Sequence, residues 1–215
     1  MRNIIDSISI GFTVFPFFAF IFTLPIIAVQ LVKYKSFNAV RIVMNYGMIL
    51  YLLCVFSLVF LPLPDMAKAA QLTEYKAQLV PFQFVADIVR ESPLVITNVH
   101  TYIPTLCNRA VLQVVLNVLM TVPFGMYLTY YYEYGAKKVA AYTFLLSLCI
   151  EITQLTGIFF IYSGSYRLCD VDDLMANTLG GLLGYLIIKK CHFLPEIEVF
   201  NRQFVKRRFV LDGIK

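Results

Sequence analysis

The sequence predicts an all-α, polytopic integral membrane protein with about five transmembrane helices, its N-terminus outside and its C-terminus inside. Three observations carry this. Of 215 residues 60% are hydrophobic and only 14% charged, against about 25% charged in a soluble domain. The mean hydropathy is +0.75. Twelve of the eighteen basic residues would fall on one side of the membrane if five apolar runs cross it, and the positive-inside rule makes that side the interior.

The runs are Gly11–Val32, Ile42–Pro62, Ala110–Tyr132, Val139–Ile161 and about Val171–Ile188; a span needs ~20 predominantly apolar residues. The first is longer than the ~7–15 residues of a signal-peptide apolar core and no A-x-A site follows, so it reads as a retained helix. Lys33, Lys35 and Arg41 join the first two runs, Lys137 and Lys138 join the third and fourth, and Lys189, Lys190, Arg202, Lys206, Arg207, Arg208 and Lys215 follow the fifth. Residues 1–190 then form a single transmembrane domain with an outer loop over about 63–109, followed by a basic cytoplasmic tail, 191–215. Val80–Val89 has the spacing of a short interfacial helix, with an ordered loop packed on the helix ends as the alternative. Phe200, Phe204, Val205 and Phe209 among the basic residues of the tail suit anionic lipid headgroups or an ordinary positive-inside anchor.

The net charge of +5 reflects basic residues at membrane edges and does not point to nucleic acid. His100 and His192 stand alone, no CxxC occurs, and neither a metal site nor a cofactor is expected. Cys107 and Cys169 both fall on the outer side, where a disulfide could tie the long loop to the acidic segment; the other reading is two free thiols.

Polar residues then stand out against the apolar runs. Glu151 falls in the middle of the fourth, near the bilayer midplane, where a carboxylate costs roughly 2.5 kcal/mol or more and so needs a polar interior. Gln113 and Asn117 share a face of the third run, Ser147, Glu151 and Gln154 lie on the fourth, and Asp173 and Asn177 share a face of the fifth. With the predicted topology these converge between the midplane and the outer surface, as an outward-opening polar pocket would require. Glu151, Asp170 and Asp173 are the candidate catalytic or proton-handling groups; Arg167, Asn117, Gln154 and Asn177 are candidate ligand-binding groups. A buried Glu can act as general acid or base, and Arg167 can pair with it or grip a phosphate or carboxylate. The bland readings are interhelical hydrogen bonds for the amides, and caps for Asp170, Asp172 and Asp173 at the start of the fifth helix. Pro123 should kink the third helix. Gly180 and Gly184, a GxxxG pair, permit close helix packing or a homodimer.

Asn117, Pro123-Phe-Gly125, Ser147, Glu151, Gln154, Arg167 and the run Asp170-Val-Asp-Asp173-Leu-Met-Ala-Asn177-Thr-Leu-Gly180-Gly-Leu-Leu-Gly184 together resemble the VanZ-like membrane proteins, over about Leu79 to Ile188. Pro81-Phe82 resembles the family's short motif before the third span, though Leu79-Val80 stands where an Asn often precedes the Pro pair. The resemblance implies a multi-pass protein of a Gram-positive bacterial cell membrane and a link to low-level teicoplanin resistance; it supplies no mechanism. Four functions are therefore expected to compete. They are binding or modifying a lipid-linked envelope precursor or glycopeptide antibiotic, intramembrane hydrolysis or transfer on a lipid phosphate, transport or flipping, and scaffolding of envelope proteins among membrane lipids.

Overall fold

The computed structural model describes residues 2–35, 37–61, 63–64, 72–93, 97–191 and 197. The basic tail, apart from Cys191 and Ile197, lies outside the described residues, as do 65–71 and 94–96 of the long loop. Among the described residues five helices are long and apolar enough to cross a membrane: α1 (Arg2–Tyr34), α2 (Ala39–Phe60), α5 (Arg109–Tyr131), α6 (Ala136–Leu155) and α7 (Val171–Lys190). Among the described residues between α2 and α5 lie a two-residue strand β1 (Ala77–Gln78) and two short α-helices, α3 (Gln83–Glu91) and α4 (Tyr102–Leu106). A second short strand, β2 (Cys169–Asp170), runs directly into α7. The chain is a multi-pass membrane protein.

It divides into two compact units, Met1–Pro62 with Ile188–Lys215, and Leu63–Ile187. In the first, α1 and α2 form a tight helical hairpin. Asn38 caps α2 by accepting from the Arg41 N–H at 3.1 Å. Gly11 lets the helices touch, since a Cβ there would come within 2.9 Å of the Cys54 Sγ. Thr23 and Tyr46 share a 2.7 Å hydroxyl hydrogen bond across the pair, and the Arg41 guanidinium lies 4.0 Å from the centre of the Tyr34 ring.

The second unit holds α5, α6 and α7. Asn108 caps α5, which runs unbroken through Pro123. The turn into α6 is wrapped in tyrosines: Tyr127, Tyr131, Tyr132, Tyr134 and Tyr142 make successive ring contacts of 4.9–5.3 Å. Lys138 sits over the Tyr134 ring. Amphipathic rings beside lysines mark a membrane–water boundary.

The interior of this unit inverts the soluble pattern. Val139, Thr143, Ser147 and Glu151, at four-residue intervals, form the most buried stripe of α6. Tyr142, Phe144, Leu145 and Ile152 are exposed on the sides left for lipid. Opposite the stripe, α7 buries Asn177, Gly180, Gly181 and Gly184. A Cβ on Gly181 would strike the Thr143 side chain, one on Gly180 the Val118 carbonyl, one on Gly184 the Val122 carbonyl, and one on Gly125 the Gly181 carbonyl. The Gly180/Gly184 face offered by the sequence to a second copy is thus occupied by α5 of the same chain.

The expected fourth span is displaced. It begins three residues earlier than Val139 and ends at Leu155, six residues short of Ile161. The apolar run continues beyond it, but Gly157, Ile158, Phe159 and Phe160 all take positive φ, between 53° and 68°, and wind left-handed. For L-residues this costs roughly 1–2 kcal/mol each, and it ends the helix although hydropathy alone would extend it. Ser165 closes the break, donating to the Leu155 carbonyl at 2.8 Å.

Candidate functional site

That early end relocates Glu151. By the ~1.5 Å rise per residue it lies about 22 Å along α6 from Ala136, close to the end of the helix and well past the midplane expected for it. The end of α6, the loop to β2 and the first turn of α7 therefore build one polar region at a membrane boundary, opposite to the tyrosine turn.

Glu151 is 2% exposed. Its Oε2 accepts from the Asp170 backbone N–H at 2.9 Å, and its carboxyl is hydrogen-bonded to the Cys169 thiol. Asp170 caps α7 through the Asp172 N–H, 2.9 Å from its Oδ1, and accepts from the Gln78 amide at 3.4 Å. Asp173 Oδ1 accepts from the amides of Asn117 and Gln113. One turn deeper, Asn177 Nδ2 donates to Ser147 Oγ at 2.8 Å, and the Asn177 carbonyl accepts from Thr121 Oγ1 at 2.6 Å. The sequence put polar faces of these three helices in one region without pairing particular residues; in the structure Asn117 meets Asp173 and Ser147 meets Asn177.

Other expectations are redirected. Arg167 is exposed and pairs with no carboxylate among the described residues. Gln154 is buried but makes no side-chain hydrogen bond among them. Asp172, expected to cap its own helix, caps another: its two carboxylate oxygens accept from the Phe82 N–H at 2.6 Å and the Phe84 N–H at 2.9 Å. Phe82 begins α3 with φ of 66° and has no side-chain cap of its own, so Asp172 supplies what that helix start lacks. Cys107 and Cys169 are both free thiols, one exposed and one buried. The long loop is instead tied down by hydrogen bonds. β1 pairs in parallel with β2, Ala77 opposite Cys169 and Gln78 opposite Asp170, and Ser165 accepts from the Lys76 N–H at 2.9 Å.

The sequence reading missed Cys169 and Gln78 as site neighbours, together with Tyr166. Burial first, and then the charge and hydrogen bond of Glu151, push the Cys169 thiol up to about 11. It is therefore a neutral donor to Glu151 and a poor nucleophile at neutral pH. Burial pushes the Tyr166 hydroxyl up to about 12 against the opposing Arg167 charge, with Tyr162 and Glu151 adding to the rise. Among the described residues that hydroxyl is buried without a hydrogen-bond partner, as is Asn177 Oδ1. Burial also raises the Asp170 carboxyl, with the Asp172 N–H opposing and the Asp172 and Asp87 charges adding. Among the described residues no three His, Cys, Asp or Glu are grouped as a metal ion would require.

The region thus has three carboxyls, a hydroxyl and an amide oxygen with unspent hydrogen-bonding capacity. Buried polar groups are ordinarily paired, and ionisable groups at membrane depth mark functional sites more often than packing. Compared with known proteins, the chain matches a family model described as VanZ/LLP1 over residues 48–194. No curated protein and no solved structure matches it.

Proposed function

The chain belongs to the VanZ/LLP1 family, and from that premise we propose that it is a bacterial cell-membrane protein of the envelope that contributes to low-level teicoplanin resistance. It does so by engaging a lipid-linked envelope precursor or the glycopeptide itself at the boundary site. The observation that carries this reading is the gathering of Glu151, Asp170 and Asp173 with no basic side chain paired to them among the described residues. Such a cluster accepts hydrogen bonds from an amine, amide or hydroxyl-rich ligand, while exposed Arg167 is available to a phosphate or carboxylate on the same molecule. Asn117 and Gln78 hold the carboxyls in place. The charge distribution along the loops supports an outward-facing site, with the N-terminus outside and the C-terminus inside.

Binding is favoured over group transfer because the Cys169 thiol beside Glu151 stays protonated and Glu151 is committed to a backbone N–H. The test is susceptibility to teicoplanin and vancomycin in a sensitive Gram-positive host, with wild type and Glu151→Gln at matched membrane levels. Protection against teicoplanin by wild type and its loss in the variant are expected. Equal susceptibility of wild type and empty host would remove the resistance role; equal protection by both proteins would remove the carboxyl site from it.

A further inference from the structure

We propose that α3 is an interfacial helix whose Phe82, Val85 and Val89 edge is seated in the headgroup–acyl boundary of the bilayer. The partner is the lipid surface itself.

Three observations converge. First, α3 is two-faced. Phe82, Val85 and Val89 are exposed, Val89 by 72%, and the ~100° step per residue puts them on one side. Gln83, Asp87, Arg90 and Glu91 occupy another, where Arg90 pairs with Asp87 at 2.6 Å. The preceding Leu79 and Val80 are exposed as well, so the apolar edge extends beyond the helix.

Second, the height of α3 is fixed. Asp172, in the first turn of the membrane helix α7, is 4% exposed and holds the Phe82 and Phe84 N–H groups. The Gln78 amide on Asp170 adds a second attachment. The start of α3 therefore lies at the level where α7 begins, which is the membrane boundary opposite the tyrosine turn.

Third, α3 packs on α5, whose Leu112, Val115, Leu116 and Leu119 are exposed on a helix apolar enough to span. The apolar edge of α3 continues that lipid-facing surface. An apolar edge in water would carry a large hydration cost, whereas an amphipathic helix lying in the interface buries it ~5–10 Å into the headgroup–acyl region. The helix carries Asp87 and Glu91 against a single Arg90, so apolar insertion rather than attraction to anionic lipid holds it there.

The chain contains no tryptophan, so one introduced residue reports alone. The full chain carrying Val89→Trp, and separately Glu91→Trp on the polar side, is reconstituted in phosphatidylcholine vesicles without any ligand. Expected for Val89→Trp is a blue-shifted emission that lipids brominated near the headgroup quench more than lipids brominated at the chain end, and that aqueous iodide quenches weakly. Glu91→Trp should show the reverse order of quenchers. Val85→Trp repeats the measurement if Val89→Trp fails to fold. Emission from the apolar-edge tryptophan that iodide quenches as strongly as that of Glu91→Trp, or that no brominated lipid quenches, overturns the proposal. Because no antibiotic or precursor is present, neither result depends on the proposed function.

Discussion

Two polar regions of the second unit lie one above the other and are built for different ends. The deep seam consists of Gly125, Gly180, Gly181, Gly184, Thr121, Thr129 and Thr143. Its hydroxyls are spent: Thr143 on the Val139 carbonyl, Thr129 on the Gly125 carbonyl, and Thr121 on the Asn177 carbonyl. Its glycines bring backbones into contact. Among the described residues the boundary cluster of Glu151, Asp170 and Asp173 has acceptors in excess of donors, a buried Tyr166 hydroxyl without a partner, and an exposed Arg167 that pairs with no carboxylate. Polarity inside a membrane protein thus serves packing where every group is neutral and satisfied, and points to ligand chemistry where charge remains uncompensated.

The sharpest break of this contrast is at the seam. Gly125→Ala should destabilise the chain by about 1–3 kcal/mol, because the new Cβ meets the backbone of Gly181 and no side chain can move aside. The loss is read as a lower melting temperature in detergent. An unchanged melting temperature would mean that the seam is loose and the comparison wrong.

Asp172→Asn stands between the regions. It replaces one of two charge-assisted acceptors at the start of α3, at a cost of about 1–2 kcal/mol. Proteolysis of the Leu79–Glu91 segment should accelerate, with the transmembrane core unaffected. Protection equal to wild type would show that Asp172 does not hold α3.

A smaller effect separates the thiols. With its thiol near 11, Cys169 is ionised to only about one part in a thousand at pH 8, and labelling by an impermeant maleimide should rise only as pH climbs toward that value. Exposed Cys107 should label readily at pH 7–8 from the outer face of intact cells. Cys169 reacting as fast as Cys107 at pH 7 would contradict its burial beside Glu151, and Cys107 protected in intact cells but labelled after lysis would reverse the orientation.

The glycines of the seam were legible in the sequence; its threonines and most of the boundary contacts were not. Apolar runs located all five spans, and four-residue spacing put Gln113 with Asn117 and Asp173 with Asn177 on shared helix faces. The fourth helix ends earlier than hydropathy suggests because Ile158, Phe159 and Phe160 are apolar while their backbone turns left-handed, and hydropathy carries no dihedral information. The β1–β2 contact joins residues 92 positions apart through two-residue strands, too short to leave a periodic pattern. The Asp172 cap had one trace: a helix start with three aspartates holds more carboxylates than its own first turn uses, so one was free for another helix.

On the proposed function, the boundary carboxyls serve ligand binding and the seam serves the fold. Glu151→Gln tests it most directly, since glutamine keeps an oxygen for the Asp170 N–H and removes the acid. Melting temperature and teicoplanin protection are measured on the same membrane preparations as wild type. The account predicts a melting temperature close to wild type with protection lost; a variant that protects as wild type does, or that loses protection only in step with lost folded protein, would contradict it.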